Sequence, residues 1–561
     1  MATPLIPSAL DAKTQTFPTL SNGQIERVRQ YSKDKGSRHV VPGEILFEPG
    51  DINVPFYVVI SGNMEIVQPD LSGERPITTH GPGNFTGEIT MISGQRCLVR
   101  GRVAAEGEFL EVSPENFRSL IARDTELNEI TMRAFILRRL QLISHQMGNL
   151  VLMGSQHSAD TLRLREFLTR NSHPFTYVDL DKDRLSQELL DRFHVNVDEI
   201  PVIICSANKH AAMRNPTNQQ LAECLGFNSG IDEKKVWDLV IVGAGPAGLA
   251  AAVYAASEGL DALVIEKSSP GGQAGSSSKI ENYLGFPMGI SGQELAGRAI
   301  TQAEKFGARI MIAHRVVRLN CESRPYEVVL DNGNTLAARA VVISTGAQYN
   351  KPRIENLTGF EGRGIYYGAT FMEAQLCEDD DVIVVGGGNS AGQAAIFLAQ
   401  TARKVYMLVR SGELSDTMSR YLIQRIDANP KIEMHYRTEI VALEGNGRLE
   451  RVVWQDKKSG TTSTQNIKHA FIMAGASPQT DWLQGCIAMD SKGFILTGRD
   501  LDTATEQPIW KMARAPQMLE TNLPGVFAVG DARSGNVKRV ASAVGEGAIA
   551  IHLVHQALAE V

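Results

Sequence analysis

Three glycines follow an apolar strand at the spacing of a dinucleotide-binding turn. The segment VWDLVIVGAGPAGLAAAVYAASEGLDALVIEK places Gly243, Gly245 and Gly248 between a strand and a helix, and its second strand ends at Glu266. The glycines permit a tight turn and close approach of the backbone to a diphosphate, while the helix N-terminus stabilises the negative charge. A carboxylate at Glu266 can accept hydrogen bonds from ribose hydroxyls. Glycines at this spacing alone would indicate only a turn, but the ordered strand, helix, second strand and acid predict nucleotide binding.

A second turn of the same kind begins at Gly386. The segment DVIVVGGGNSAGQAAIFLAQTARKVYMLVRS contains Gly386 and Gly388, continues with Asn389 and Ser390 at a helix start, and ends its second strand at Arg410. An arginine at this place can pair with the 2′-phosphate of NADPH, whereas a carboxylate would repel it. Arg410 could instead be a solvated charge at a strand end. The segment favours NADPH over NADH, and two such folds in one chain indicate hydride transfer between a nicotinamide and a flavin.

The composition is that of an ordinary globular protein. A chain of 561 residues suggests about three or four domains, and 43% of the residues are hydrophobic. The net charge of −7 favours neither nucleic acid nor an acidic membrane as a partner. The start of the chain lacks the pattern of a secretion signal, and no apolar run is long enough to span a bilayer. Six scattered cysteines form no CxxC and no metal-ligand spacing, so the expected location is a reducing cytoplasm and no metal site is predicted.

Ahead of the two glycine turns, the order of elements predicts two further domains. Short β-branched runs separated by glycine-bearing turns, from about residue 36 to 112, indicate a small β-barrel or roll. Apolar residues at helical spacing follow from Pro114 to about Met147. From Asn149 the pattern is strand, helix, strand, helix and then a β-hairpin region, and the polar stretch 226–235 is a predicted linker.

The stretch from Val236 to the C-terminus resembles the thioredoxin reductases. Three further segments carry the resemblance: SSPGGQAGSSSKIENYLGFP (268–287), ISTGAQ (343–348) and GVFAVGDARSGNVKRVASAVGEG (525–547). It implies an FAD domain in two pieces, an NADPH domain inserted between them, and a homodimer. Asp531 would accept a hydrogen bond from the ribityl chain. Beyond the glycine turns, the resemblance implies flavin contacts for Gly272, Gln273, Asn282, Asp531, Arg539, Val540 and Ala541.

The chain departs from that family where its disulfide should be. Thioredoxin reductases carry CxxC just before the second glycine turn, and the matching segment here, GIYYGATFMEAQLC, has Gly368 and Phe371 at the two cysteine positions. Neither residue can form a thiolate, which disulfide chemistry requires. Cys377 stands alone further on and is predicted to be a small buried hydrophobe, the alternative being a redox thiol. We therefore predict no catalytic side chain.

The segment from Asn149 to about Leu225 resembles a glutaredoxin or thioredoxin fold. HSADTLRLREFLTRNSHPFTYVDLD matches the active-site region of that family, and EIPVII is similar to its cis-proline loop at Pro201. The redox cysteines of the family fall on Ser158 and Thr161, and a hydroxyl at a helix N-terminus is a good cap. This domain is predicted to serve docking or spacing.

The N-terminal region resembles cyclic-nucleotide-binding domains. FEPGD, FYVVISGNMEIV and GPGNFTGE match the β-roll of that family in order. The resemblance implies a ligand site with Gly87 and Glu88 at the ribose and Arg96 at the cyclic phosphate. The segment between them is short, and Cys97-Leu98 replaces the usual small residues, so the roll is implied while ligand binding stays open. The sequence gives no helix-turn-helix after the roll and hence no support for a transcription factor.

Together these features predict an α/β protein with an N-terminal β-roll, a thioredoxin-like α/β domain, and two Rossmann-like three-layer domains, the second inserted in the first. The predicted boundaries are 1–148 for the roll, 149–226 for the thioredoxin-like domain, 236–352 and 478–561 for the FAD domain, and 353–477 for the NADPH domain. The expected function is FAD-dependent oxidation of NADPH, with electrons passed to an external disulfide, a ferredoxin-like protein or a small molecule. The alternative is a flavin sensor or interaction protein with little turnover.

Overall fold

The structure, a computed structural model, describes residues 14–70, 73–88, 90–93, 95–144, 150–156, 158–181, 199–205, 211–322, 324–503 and 510–560. The chain forms two compact units. The first comprises Met1–Gln156 and Asn171–Ile231, and the second comprises His157–Arg170 and Asp232–Val561.

The first unit begins with a five-stranded antiparallel sheet. Its strand order is β1-β5-β3-β4, and β2 also pairs with β5. The strands are β1 (Arg38–Val40), β2 (Ile45–Phe47), β3 (Phe56–Asp70), β4 (Gly73–His80) and β5 (Arg100–Val112). Four fully buried phenylalanines form the core between this sheet and its helices, with ring centroids 4.5 to 6.5 Å apart: Phe56, Phe85, Phe117 and Phe135.

The helical stretch predicted from Pro114 to Met147 is two helices in the structure. The helices that accompany the sheet are α1 (Asn22–Arg29), α2 (Thr90–Ser93), α3 (Pro114–Arg123) and α4 (Thr125–Ser144). Asp124 breaks the stretch because its backbone is extended, with φ −110° and ψ 99°. Its carboxylate accepts a hydrogen bond of 3.0 Å from the backbone N–H of Leu127, which caps the second helix. Residues 145–147 lie outside the described residues.

A second, four-stranded sheet completes the first unit. Its order is β7-β6-β8-β9, in which only β6 and β7 are parallel. The strands are β6 (Leu150–Gly154), β7 (Thr176–Asp179), β8 (Val202–Cys205) and β9 (Ala211–Arg214). Helix α5 (Ala159–Arg170) lies between β6 and β7 in sequence but belongs to the second unit. Helix α6 (Asn218–Leu225) is the last helix of the first unit. The predicted cis bond before Pro201 is present, and the helix predicted at QELLDRF lies outside the described residues.

The main sheet of the second unit is parallel at its centre. Its order is β12-β11-β10-β15-β14-β13, and the edge strands β13 and β14 are antiparallel. The strands are β10 (Val236–Val242), β11 (Ala262–Glu266), β12 (Arg309–Ile312), β13 (Val316–Asn320), β14 (Tyr326–Leu330) and β15 (Thr335–Ile343). Strand β10 is apolar without alternation, as expected for a central parallel strand buried on both faces. The helices are α7 (Pro246–Ser257), α8 (Gly272–Gly275) and α9 (Gly292–Phe306).

A second parallel sheet is inserted after β15. Its order is β17-β24-β18-β19-β20, beside a three-stranded antiparallel sheet, β21-β22-β23, and the pair β16-β25. The strands are β16 (Ala347–Tyr349), β17 (Ile365–Tyr366), β18 (Asp381–Val385), β19 (Lys404–Val409), β20 (Ile432–Tyr436), β21 (Thr438–Glu444), β22 (Arg451–Asp456), β23 (Thr462–Gln465), β24 (His469–Ile472) and β25 (Ala476–Pro478). The helices are α10 (Leu357–Phe360), α11 (Phe371–Leu376), α12 (Asn389–Leu398) and α13 (Arg420–Asp427).

After the insertion the chain returns to the main sheet. Strand β26 (Val526–Ala528) pairs in parallel with β15, so the main sheet is built from two separate stretches of chain. The last helix, α14 (Val540–Ala559), crosses α7 closely at Gly547. A Cβ atom at Gly547 would lie 2.2 Å from the carbonyl oxygen of Ala247. The two helices can therefore approach this closely only with glycine at residue 547.

We expect Gly547→Ala to destabilise the protein by about 1–3 kcal/mol, because the added methyl group would overpack two helix backbones. The matched control is Gly545→Ala on the same helix, where a Cβ atom meets nothing within 4 Å. The control should be neutral or stabilising by up to about 1 kcal/mol, since alanine favours a helix over glycine. Urea unfolding measures both, and equal stability of the two variants would contradict the packing argument.

Candidate functional site

The first glycine turn brings three backbone segments together at the end of β10. Gly243 has a φ of +105°, and a Cβ atom there would lie 2.4 Å from the carbonyl oxygen of Ser344. A Cβ atom at Gly248 would lie 1.9 Å from the carbonyl oxygen of Gly243. Helix α7 begins directly after Gly245, its N-cap residue. The free N–H groups of its first turn therefore stand where an anion can approach without meeting a side chain.

Glu266 is fixed beside this turn. One oxygen of its carboxylate accepts a hydrogen bond of 2.9 Å from the backbone N–H of Ala244, and the other accepts one of 3.0 Å from that of Ser268. The residue is only 8% exposed, and burial raises the pKa of its carboxyl group. Each carboxylate oxygen has a second lone pair, which is free to accept from the hydroxyl groups of a bound ribose.

A cavity of about 500 Å³ extends from the first turn, a size typical of sites that hold a cofactor. The residues that the sequence predicted as cofactor ligands and that line this cavity are Gly243, Gly245, Glu266, Gly272, Gln273, Asn282, Asn389, Ser390, Asp531, Arg539, Val540 and Ala541. The predicted residues that do not line it are Gly248, Gly386, Gly388 and Arg410. A glycine turn, a buried acid, amides and a helix start form a suitable donor set for a flavin dinucleotide.

The far side of the cavity is formed by the start of α14. Arg539 is the N-cap residue of this helix, and Val540 and Ala541 are its first two residues. Asp531 precedes them in a 3₁₀ turn, Gly530–Ala532, and burial raises the pKa of its carboxyl group. The N-terminus of a 20-residue helix thus faces the cavity and favours negative charge there.

The second glycine turn has the same construction as the first. Gly386 has a φ of +145°, and a Cβ atom there would lie 2.6 Å from the carbonyl oxygen of Met473. Gly388 is the N-cap residue of α12, and the side-chain oxygen of Asn389 accepts a hydrogen bond of 2.7 Å from the backbone N–H of Ser419. Ser390 lies on the first turn of α12 and reaches the 500 Å³ cavity. The start of α12 therefore reaches the same cavity as the first turn, although Gly386 and Gly388 themselves do not line it.

Arg410 is exposed directly after β19, as the second turn predicted. The guanidinium group of Arg437 lies beside Gly412, two residues after Arg410: a Cβ atom at Gly412 would be 2.8 Å from it. Two arginines near the end of this strand make a favourable place for a phosphate monoester.

The structure shows which cavity residues the sequence reasoning missed. Five of them are Arg170, Lys267, Ser344, Tyr349 and Lys538. Lys267 and Lys538 adjoin predicted residues in sequence, and Ser344 lies within the ISTGAQ motif, so the motifs contained a signal for them. Arg170 had no such signal, since it lies in the segment that resembles thioredoxin.

No cysteine lines the cavity, and the two positions that would carry CxxC have other roles. Gly368 lies beside Ser276: a Cβ atom at Gly368 would be 3.7 Å from the Cβ atom of Ser276. Phe371 is the first residue of α11 and is 70% exposed. Cys377 is fully buried, its thiol donates to the carbonyl oxygen of Glu373 at 3.2 Å, and burial raises its pKa to about 12. The prediction of a small buried hydrophobe at Cys377 is confirmed.

One sulfur pair was not predicted. Cys321 and Cys486 form a disulfide, with Cα atoms 6.1 Å apart. They are separated by 165 residues, so the scattered cysteine spacing gave no indication of the bond. Neither residue lines the 500 Å³ cavity.

The three residues predicted to bind a cyclic nucleotide do not line one cavity in the structure. Gly87 and Glu88 line a cavity of about 70 Å³, far smaller than typical ligand sites, whereas Arg96 does not line it. A buried ion pair of 3.4 Å joins Glu88 to Arg139. Arg96 donates to the carbonyl oxygen of Gly50 at 3.3 Å. The two charged residues predicted for one ligand thus have separate protein partners.

The described residues contain neither a candidate metal site nor a candidate membrane-spanning helix. Among the described residues, no group of three or more His, Cys, Asp or Glu side chains could hold a metal ion. Over the same part of the chain, no helix has the length and apolar character needed to cross a bilayer.

Two family models match the chain. The pyridine nucleotide-disulphide oxidoreductase model matches residues 237–547, and the cyclic nucleotide-binding domain model matches residues 37–124. Among curated proteins, the thioredoxin reductase of Mycoplasmopsis pulmonis is 29% identical over 321 residues, which cover 57% of this chain and 97% of that protein. The thioredoxin reductase of Bacillus subtilis is 30% identical over 331 residues, which cover 59% of this chain and 97% of that protein.

Solved structures give the same result. The thioredoxin reductase of Lactococcus lactis matches with a TM-score of 0.52 at 26% identity, over 58% of this chain and 100% of that one. The thioredoxin reductase of T. acidophilum matches with a TM-score of 0.50 at 28% identity, over 57% of this chain and 98% of that one. Thioredoxin reductases use FAD and NADPH, so the comparisons confirm the two predicted cofactors.

We expect the native protein to expose few reactive thiols. Cys97, Cys205 and Cys377 are buried, Cys321 and Cys486 are bonded, and only Cys224 is partly exposed. Titration with an aromatic disulfide reagent should detect at most one thiol before denaturation, and Cys224→Ser should remove it. Cys377→Ser is the comparison variant and should leave the count unchanged; a lower count in that variant would show that Cys377 is accessible.

Proposed function

Because the chain belongs to the pyridine nucleotide-disulphide oxidoreductase family, we propose that it moves hydride from NADPH to FAD and delivers the electrons to an external acceptor. One observation carries this proposal. The first glycine turn and the residues that follow the second one, Asn389 and Ser390, line one cavity, and no cysteine lines that cavity.

The residues around the first turn would hold FAD. Gly243, Gly245 and the start of α7 bind the diphosphate, and Glu266 accepts from the adenosine ribose. Gly272, Gln273 and Asn282 line the path from the diphosphate, and Asp531 accepts a hydrogen bond from the ribityl chain. The start of α14 at Arg539, Val540 and Ala541 favours negative charge near the isoalloxazine. FAD, when bound, supplies a two-electron acceptor for hydride from a nicotinamide.

The residues around the second turn would hold NADPH. Gly386 and Gly388 let the backbone approach the diphosphate, and Asn389 and Ser390 lie at the helix start where it binds. Arg410 would pair with the 2′-phosphate. Tyr349 links the two sites, because its hydroxyl group is hydrogen-bonded to Ser390 while its ring lines the flavin cavity.

The acceptor would be external because no protein thiol stands beside the cavity. A Cβ atom at Gly368, where the first cysteine of CxxC would lie, would be in van der Waals contact with Ser276, and Phe371 is 70% exposed. A disulfide of another protein, a ferredoxin-like protein and a small molecule are the acceptor classes that this arrangement allows.

We assign the domains as the sequence predicted them: a cyclic-nucleotide-binding-like roll (1–148), a thioredoxin-like domain without redox cysteines (149–226), an FAD domain (236–352 and 478–561) and an NADPH domain (353–477). The first sheet, the second sheet with its cis bond before Pro201, and the pairing of β16 with β25 at the domain crossing support this assignment. A cyclic nucleotide at Gly87, Glu88 and Arg96 would regulate turnover, and the reductase half would form a homodimer.

The second candidate function is a flavin sensor or interaction protein with little turnover. The cyclic-nucleotide-like roll and the absence of cysteine at Ser158 and Thr161 favour it, since both front domains then suit binding more than chemistry.

Anaerobic addition of NADPH to the FAD-loaded protein should abolish the visible flavin absorbance within seconds to minutes. A stable absorbance would favour the sensor. If Cys377→Ser abolished turnover, a disulfide mechanism through that thiol would replace this proposal. A screen of acceptors with the reduced protein then identifies the class of physiological acceptor.

Arg410→Glu should shift the coenzyme preference from NADPH towards NADH by about 10- to 100-fold in kcat/KM, because a carboxylate repels the 2′-phosphate and loses a charge-assisted pair. Arg403→Glu, at the opposite end of β19, is the control: it is exposed and pairs with Asp381 at 2.8 Å. Equal changes for both coenzymes in Arg410→Glu would contradict the role of Arg410.

A further inference from the structure

Helix α5 lies against the main sheet domain of the second unit, although its sequence belongs to the thioredoxin-like segment. The backbone carbonyl of Thr169 accepts a hydrogen bond of 2.7 Å from the side-chain amide of Gln293. At the other end of the helix, a Cβ atom at Gly362 would lie 3.1 Å from the Cβ atom of Ala159. The helix is therefore held at both ends by residues of the flavin and nicotinamide halves.

Arg170, the last residue of α5, reaches the flavin cavity. Its Nη2 atom donates to the carbonyl oxygen of Gly272 at 3.0 Å, and its side chain lines the 500 Å³ cavity. Gly272 adjoins the first glycine turn, because a Cβ atom on it would lie 2.9 Å from the Cα atom of Gly245. The guanidinium group thus contacts Gly272, whose backbone lies against Gly245, the N-cap residue of α7.

The guanidinium group has binding capacity left. Its Nη1 atom pairs with Glu166 at 3.2 Å, whereas its Nε atom is buried and has no hydrogen-bond partner within the protein. Because that Nε atom is sealed from solvent, a ligand in the cavity would bind the terminal nitrogens: Nη1 and Nη2 each carry two N–H bonds, and the contacts with Glu166 and Gly272 use one on each. The positive charge also acts within the cavity, where it lowers the pKa of Glu266 against the larger opposing effect of burial.

We propose that Arg170 binds the diphosphate of FAD, so that the thioredoxin-like segment supplies one residue of the flavin site. The first glycine turn offers only backbone N–H groups and the partial charge of a helix start, while the diphosphate carries two negative charges. Arg170 adds a full positive charge with a directed N–H group. This inference rests on the proposed FAD site and adds a residue to it.

A purely structural role is the competing explanation. In that case Arg170 holds α5 in place through the carbonyl oxygen of Gly272, and FAD does not contact it. The two explanations differ in their dependence on salt. A charge–phosphate contact weakens as ionic strength rises, whereas loss of a structural contact lowers affinity by a similar factor at every salt concentration.

The test measures FAD binding to the full-length apoprotein by quenching of flavin fluorescence at low and high salt. Arg170→Gln should raise the Kd by about 10- to 100-fold at low salt and reduce the salt dependence seen in the natural protein. The matched control is Arg163→Gln, which removes the same charge from the same helix at a residue that pairs with Asp160 and does not line the cavity. An unchanged Kd in Arg170→Gln, an equal loss in Arg163→Gln, or a loss that is the same at all salt concentrations would overturn the proposal.

A second variant leaves Arg170 in place and serves if Arg170→Gln does not fold. Glu166→Gln removes the carboxylate that pairs with Nη1, so the charge facing the diphosphate is less neutralised. We expect the Kd for FAD to fall by about two- to fivefold at low salt. An unchanged or higher Kd would refute the role of Arg170. If the natural protein itself bound no FAD, the proposed function would fail instead.

Discussion

The close approach of backbone segments around Gly243 is the constraint on which the rest of the second unit depends. The carbonyl oxygens of Gly243 and Ser344 occupy the places where Cβ atoms at Gly248 and Gly243 would lie. This approach sets helix α7 directly on the strands, and α7 in turn lets α14 cross it at Gly547. The start of α14 then faces the same cavity as the start of α7. Two helix termini aimed at one cavity follow from contacts that only glycine allows.

The contrast with the thioredoxin reductases lies in what surrounds this cavity. The relatives match the chain over nearly their whole length. The cysteines are replaced by Gly368 and Phe371, and the remaining thiol nearby, Cys377, is sealed by burial. The chain thus combines two glycine turns of the dinucleotide-binding kind with a cavity that no cysteine lines.

The sequence predicted those parts of the structure that depend on local order along the chain. Each glycine turn joins the end of a strand to the start of a helix, and glycine is the residue type that such a tight turn requires. Glu266 likewise marks the end of a strand, and Arg539 the start of α14. Such boundaries can be recognised from a short stretch of sequence. The division of the helical stretch at Asp124 depends on one extended residue, for which aspartate is only a weak signal. The bond between Cys321 and Cys486 and the contact of Arg170 with Gly272 join residues far apart in sequence, so no local pattern could reveal them.

Helix α5 has a consequence for how the molecule comes apart. The chain passes between the two units three times, at residues 156–157, 170–171 and 231–232. A protease that nicks residues 228–235, which are partly or fully exposed, would cut only the last of these passages, and the severed front piece would keep α5, which belongs to the other unit. The two fragments would therefore remain associated and elute together under native conditions, although one cut in a simple string of domains would release them.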